Sequence, residues 1–174
     1  MEAYILQVVD FVKANQHWAP YIIFVLAFCE SLAVLSLIVP AWAAIVAFGP
    51  LIGAGALPFW PILIAASLGA AAGDWISYWF GYHFKDRIGT IWPMSKNPDL
   101  LPKGHAFFEK WGIGAIFIGR FFGPLRAAVP LVAGIVAMPQ LQFQIANVLS
   151  AFIWVYVLLV PGSLIGEYLP FLRH

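Results

Sequence analysis

Charge is what this sequence lacks. Of its 174 residues, 10% are charged and 63% are hydrophobic, whereas a soluble domain carries about 25% charged residues. That leaves too little polar side chain to cover a water-facing surface. Cysteine is almost missing as well: Cys29 stands alone, which excludes a disulfide framework and a thiolate metal cluster. The net charge is +1, with no basic face, which points away from nucleic acid. No His-Glu-x-x-His, Gly-x-Ser-x-Gly or Gly-Lys-Ser/Thr pattern occurs, and His17, His83, His105 and His174 are scattered at segment ends. Neither an enzyme nor a metal or cofactor protein is expected. The N-terminal stretch MEAYILQVVDFVKANQ has no basic n-region and no small-residue cleavage site, so a removable signal peptide is not expected either.

What is present is two long apolar runs. From Trp18 to Phe84 the only charged side chains of fixed sign are Glu30 and Asp74, and from Trp111 to Leu172 they are Arg120, Arg126 and Glu167. A membrane-crossing helix needs roughly 20 apolar residues, so each run has room for about two spans, or for one span and a hairpin. Residues 1–16 carry Ile5, Val8, Val9 and Val12 at helical spacing, which predicts an amphipathic helix lying in the membrane interface. Residues 85–110 form a polar loop holding five of the nine basic residues against three acids. Cytoplasmic loops collect Lys and Arg, so this loop is expected in the cytoplasm, with Gly104 to Lys110 starting a short helix. Trp18, Trp60, Trp79, Trp92 and Trp111 fall near the ends of the apolar runs, where an aromatic belt belongs.

The two runs resemble each other. Shifted by 90 residues, Val39-Pro40-Ala41-Trp42-Ala43 falls on Val129-Pro130-Leu131-Val132-Ala133, and seven of thirteen residues from Val39 to Leu51 match. The same shift places Glu30 on Arg120. Internal repeats with interrupted apolar segments mark many transporters. Pro40, Gly49-Pro50, Gly53, Gly55 and Pro58 interrupt the first half, and Gly119, Gly123-Pro124, Pro130, Gly134 and Pro139 the second. Proline removes a helix donor, so each interrupted stretch predicts a re-entrant hairpin, with helix breaks at Pro40, Pro130 and Gly134. Phe59 to His83 and Phe143 to Leu169 predict full spans. The expected fold is therefore an all-α membrane protein: residues 17–84 as a first repeat, 111–174 as a second, inverted one, each a re-entrant hairpin plus a transmembrane helix, in one membrane domain.

Chemistry is expected at the buried charges. An Arg or acid at mid-bilayer costs about 2.5 to 3.5 kcal/mol, so four such groups left unpaired represent on the order of 10 kcal/mol. They must pair or face water. Arg120 and Arg126, six residues apart, would diverge by about 120° on an unbroken helix, but Gly123-Pro124 between them predicts a break that lets both guanidinium groups enter one site. A helix start there adds backbone donors that favour an anion, and Arg suits phosphate. Arg120, Arg126, Glu30, Gly123 and Pro124 are thus the expected substrate-binding residues. Glu30 and Asp74 are the proton-coupling candidates, with a fixed Glu30–Arg120 salt bridge as the plainer alternative. Asp74 follows Gly69 and Gly73, whose spacing favours close helix approach, and Asn147 reads as helix-packing glue.

The stretch Phe117-Ile-Gly-Arg120-Phe-Phe-Gly123-Pro124-Leu-Arg126-Ala-Ala-Val-Pro130-Leu-Val-Ala-Gly134, with Glu30 before Pro40, Gly73, Tyr78, Gly81, Asn147, Trp154, Gly162 and Gly166, resembles the DedA family of bacterial inner-membrane proteins. The resemblance covers about residues 20 to 168. It implies two opposed re-entrant hairpins and transport, as a flippase, of undecaprenyl phosphate or a phospholipid, in some members coupled to protons. It also implies that Arg120 and Arg126 are essential and that Glu30 is the first membrane acid. The chain departs from the pattern after Pro40, where many members have Gly and then an acid and this one has Ala41-Trp42. Expected partners are a polyprenyl phosphate or phospholipid, protons and further copies of the chain. A proton-coupled transporter of a small soluble anion and a non-transporting scaffold are the alternatives.

Overall fold

The computed structural model describes residue 7 and residues 10–32, 42–88 and 100–167. Among these residues every regular element is helical: α1 Ala19–Ser31, α2 Trp42–Gly53, α3 Phe59–Ile88, α4 Leu100–Trp111, α5 Gly114–Phe121, α6 Gly123–Ile135 and α7 Gln140–Glu167. The long, uninterrupted apolar stretches give the two long helices. Segments Phe59–Lys85 of α3 and Gln140–Ile165 of α7 are long and apolar enough to cross a membrane. Of the interfacial helix expected over 1–16, residues 10–14 are helical. The helix expected to start at Gly104 begins earlier, at Leu100. Pro102 falls in its first turn, where a missing N–H costs nothing.

The proline-rich stretches are more helical than expected. Pro50 lies inside α2 and Pro130 inside α6, and Gly134 is also within α6, so neither Pro130 nor Gly134 breaks a helix. Pro130 deprives the Arg126 carbonyl of its i+4 donor, but α6 is clamped along α3, and Gly134 is where the two backbones meet. A Cβ at Gly134 would strike the Tyr78 carbonyl, and one at Gly81 the Leu131 carbonyl. Tertiary packing therefore decides against the local breakers. The breaks fall at Phe122, between α5 and α6, and at the turn before α7, where Ala137 takes a positive φ of 54° and Tyr78 Oη donates to the Met138 carbonyl at 2.6 Å. Pro40 lies outside the described residues.

α3 and α7 pack against each other and carry the remaining helices. α1 lies along α3 and α5 against α7, while α2 lies along α7 and α6 along α3. Glycines set these approaches. A Cβ at Gly69 would meet the Phe24 carbonyl of α1, and a Cβ at Gly49 would sit 2.8 Å from Gly162 Cα. Two apolar clusters result. One joins Ile23, Ile45, Ile62, Ala70, Val155 and Leu159, and the other joins Tyr78, Ile116, Val132, Phe143 and Ala146. Between them, along both α3 and α7, runs a layer of polar side chains.

Candidate functional site

The polar layer is built by register. On α7, Asn147, Ser150 and Trp154 are spaced three and four residues apart, which puts them on one face. On α3, Asp74 and Ser77 face inward, and both are buried. Asp74 lies two residues from the midpoint of Phe59–Lys85, and Ser150 and Trp154 lie within three residues of the midpoint of Gln140–Ile165. At 1.5 Å per residue, Asp74, Ser150 and Trp154 sit within about 5 Å, and Ser77 and Asn147 within about 9 Å, of the middles of the two long apolar segments.

Arg120, in the last turn of α5, enters this layer and is 5% exposed. Its Nη2 donates to Asp74 Oδ2 and, at 2.6 Å, to Asn147 Oδ1, and its Nε donates to Ser150 Oγ at 2.9 Å. Asn147 Nδ2 in turn donates to the Ala71 carbonyl at 2.9 Å, so one amide ties α7 to both α3 and the cation. Asn147 is therefore a member of the site rather than glue alone. Arg120 pairs with Asp74, which corrects the Glu30–Arg120 bridge considered from sequence.

Arg126, one turn into α6, sits differently. Its Nη1 donates to Glu30 Oε1 at 3.1 Å, its guanidinium lies over the Trp154 ring with Cζ 4.1 Å from the centroid, and Nη2 is buried with no hydrogen-bond partner among the described residues. A buried donor left unmade costs about 1 to 3 kcal/mol. The non-helical Phe122 (φ −98°, ψ 107°) separates the two arginines. That break is the feature expected at Gly123-Pro124, which form the first turn of α6. Arg126 lies within electrostatic range of Asp74 and Arg120 as well as Glu30, so the four charges form one constellation of two cations and two acids. Sequence reading named Trp154 only within the family resemblance and missed Ser150, although the Asn147–Ser150–Trp154 stripe within an apolar span was the signal that could have placed both at the site.

The outer surface is the reverse of the inside. Trp60, Ile64, Leu68 and Trp75 of α3 and Ile145, Leu149, Phe152 and Tyr156 of α7 are exposed. A chain that turns aromatic and aliphatic faces outward and charges inward is built for a lipid solvent. It is a helical membrane protein.

The family comparison gives the class. The VTT domain matches residues 38–164, and the chain belongs to this family, the DedA proteins. It is similar to the inner membrane protein YabI of Escherichia coli K12, 35% identical over 90% of this chain and 61% of that protein. It is also similar to the inner membrane protein YqjA of the same strain, 28% identical over 88% of this chain and 70% of that protein. To the uncharacterized membrane protein BU139 of Buchnera aphidicola it is 32% identical, over 90% of this chain and 61% of that protein. The chain spans about three-fifths of the length of the first of these relatives. The names of the two Escherichia coli relatives support a bacterial inner-membrane location. No solved structure matches.

Proposed function

We propose that this protein is a multi-pass transporter of the bacterial inner membrane, not an enzyme, that moves a phosphate-headed lipid, a polyprenyl phosphate such as undecaprenyl phosphate or a phospholipid, across the bilayer. The single observation that carries this reading is the pair of buried arginines at half depth, one of them with an unsatisfied donor. Ionisable groups inside a membrane are costly, and they persist where they pair or handle substrate. Arg120 and Arg126 form the cationic side of the anion site, Gly123 and Pro124 start the helix that presents Arg126, and Glu30 is the counter-charge that a phosphate displaces. Protons reach the site at Glu30, or at Asp74 in place of the acid missing after Pro40.

The architecture supports an inverted repeat. Exchanging α1 with α5, α2 with α6 and α3 with α7 carries the α1–α3 packing into α5–α7 and the α2–α7 packing into α6–α3. Glycines mediate both members of the second set, at Gly49–Gly162 and at Gly81–Gly134. In this reading the segments before α3 and before α7 are re-entrant hairpins that open the site alternately to the two faces, and the loop over 85–110 is cytoplasmic, between repeats at 17–84 and 111–174.

The test is reconstitution into liposomes, with transbilayer movement of a fluorescent phosphatidylglycerol followed by dithionite quenching. The wild-type protein accelerates movement, and Arg126→Ala abolishes it while the protein remains folded and inserted. Uptake of inorganic phosphate without lipid movement would favour a carrier of small anions instead. The Asp74, Asn147 and Ser150 acceptors that hold Arg120 through Nε and Nη2 favour a second reading, a scaffold whose charges only fix helix register. The exchange Glu30→Arg with Arg126→Glu separates them: a scaffold tolerates it, and an anion site does not.

A further inference from the structure

The two arginines are held in different ways, and the difference assigns a role to Trp154. Arg120 is enclosed by Asp74, Asn147 and Ser150 acceptors along its edge. Arg126 has its Cζ 4.1 Å over the Trp154 ring, a carboxylate at Nη1 and an Nη2 with no hydrogen-bond partner among the described residues. We propose that Trp154 is the positioning residue of the anion site: by stacking on Arg126 it fixes the guanidinium plane so that Nη2 stays free to donate to an oxygen of a phosphate group. The inference rests on the reading of Arg126 as the anion receptor and adds what orients it.

A guanidinium presents all its donors in one plane. A partner on its face therefore restricts its tilt without consuming a hydrogen bond, whereas a second carboxylate would consume the donor that the ligand needs. The attraction between a cation and an aromatic face is greatest for Trp and grows when water is excluded. Trp154 meets both conditions, being 6% exposed and near the midpoint of the α7 span. A phosphate first takes Nη2 and then competes with Glu30 for Nη1, giving the two-pronged contact that Arg makes with planar oxyanion edges. A large aromatic in a core ordinarily only fills space, and Trp154 does belong to an apolar cluster. The guanidinium centred over its ring is what space filling leaves unexplained.

The experiment titrates dioleoyl phosphatidic acid into the full chain in maltoside micelles and reads binding by native mass spectrometry. Dioleoylglycerol serves as the control without phosphate, and inorganic phosphate tests whether the headgroup anion alone suffices. The wild-type protein binds phosphatidic acid and not dioleoylglycerol. Trp154→Phe weakens binding roughly twofold to threefold and Trp154→Leu roughly tenfold. If inorganic phosphate binds, its affinity falls in the same order. In an Arg126→Gln background, Trp154→Leu has no further effect, because the ring acts through the cation; a space-filling role would lower affinity equally in both backgrounds and overturns the proposal. So does an undiminished affinity in the Trp154→Phe protein, which keeps the core filled and decides the matter if the Leu variant does not fold. Equal binding of phosphatidic acid and dioleoylglycerol by the wild-type protein would instead remove the anion site itself.

Discussion

Arg120 and Arg126 share a chain segment, a depth and a charge, yet their surroundings differ. Arg120 closes the end of α5 against acceptors from α3 and α7, of which Asn147 is tied to the Ala71 carbonyl of α3 and Ser150 to the Asn147 carbonyl of its own helix. Arg126 stands beyond the break at Phe122, against a carboxylate from α1 and a ring from α7, with 11% of its side chain exposed and one nitrogen without a partner among the described residues. Burial of a cation in a membrane protein is thus not by itself a sign of substrate handling. A cation gripped by several side-chain acceptors also joins helices, and one with a buried donor lacking a partner among the described residues has capacity left for a ligand. The contrast predicts that changes around Arg120 act mainly on stability and changes around Arg126 mainly on binding.

The largest effect is expected at Asp74. Asp74→Ala leaves the Arg120 guanidinium buried without its counter-charge, and breaking a buried pair costs about 3 to 5 kcal/mol. Heating the purified protein in detergent and following the loss of folded monomer measures this, and an unaltered melting temperature would break the comparison at its strong end. Ser150→Ala comes next. It removes the acceptor of Arg120 Nε, 2.9 Å away, and a bond to a charged group contributes about 1.5 to 3 kcal/mol. The same melt should shift by less than in Asp74→Ala, and binding of phosphatidic acid by the folded fraction should change less than in Trp154→Leu.

The parts of this contrast that could be read from sequence are the local ones. The clean apolar lengths near Phe59–His83 and Phe143–Leu169 are met by α3 and α7, because backbone hydrogen bonding in lipid leaves a long apolar segment little choice but a helix. The break between the arginines also lies in the chemistry of adjacent residues. Pairing does not. Which acid reaches which arginine depends on how α1, α3, α5 and α6 dock, and the 90-residue shift that lays Glu30 on Arg120 suggested the wrong partner. Pro130 and Gly134 misled for the same reason. Judged locally they interrupt a helix, but against α3 the glycine permits the contact that holds α6 together. Asn147 looked like a packing residue because its polar edge acquires meaning only from the cation that meets it, and the aromatic face of Trp154 likewise has a role only beside Arg126.

The smallest change in stability, and the one that most sharpens the comparison, is expected for Glu30→Gln. The amide keeps an oxygen where Oε1 accepts from Arg126 Nη1 at 3.1 Å, and the stacking on Trp154 is untouched. Loss of charge assistance roughly halves the strength of such a bond, so the melt should fall by about 1 kcal/mol, well below the effect at Asp74. Binding should move the other way. Glu30 competes with the phosphate for Nη1, and a neutral competitor is easier to displace, so affinity for phosphatidic acid should rise roughly threefold to tenfold. Asp74→Asn offers the matched control: it too neutralises one acid of the constellation, but beside the cation that is already enclosed. A rise in affinity at Glu30 with none at Asp74 would show that the phosphate competes with Glu30 for Arg126, and an equal rise at both would mean that a phosphate senses only the net charge of the layer.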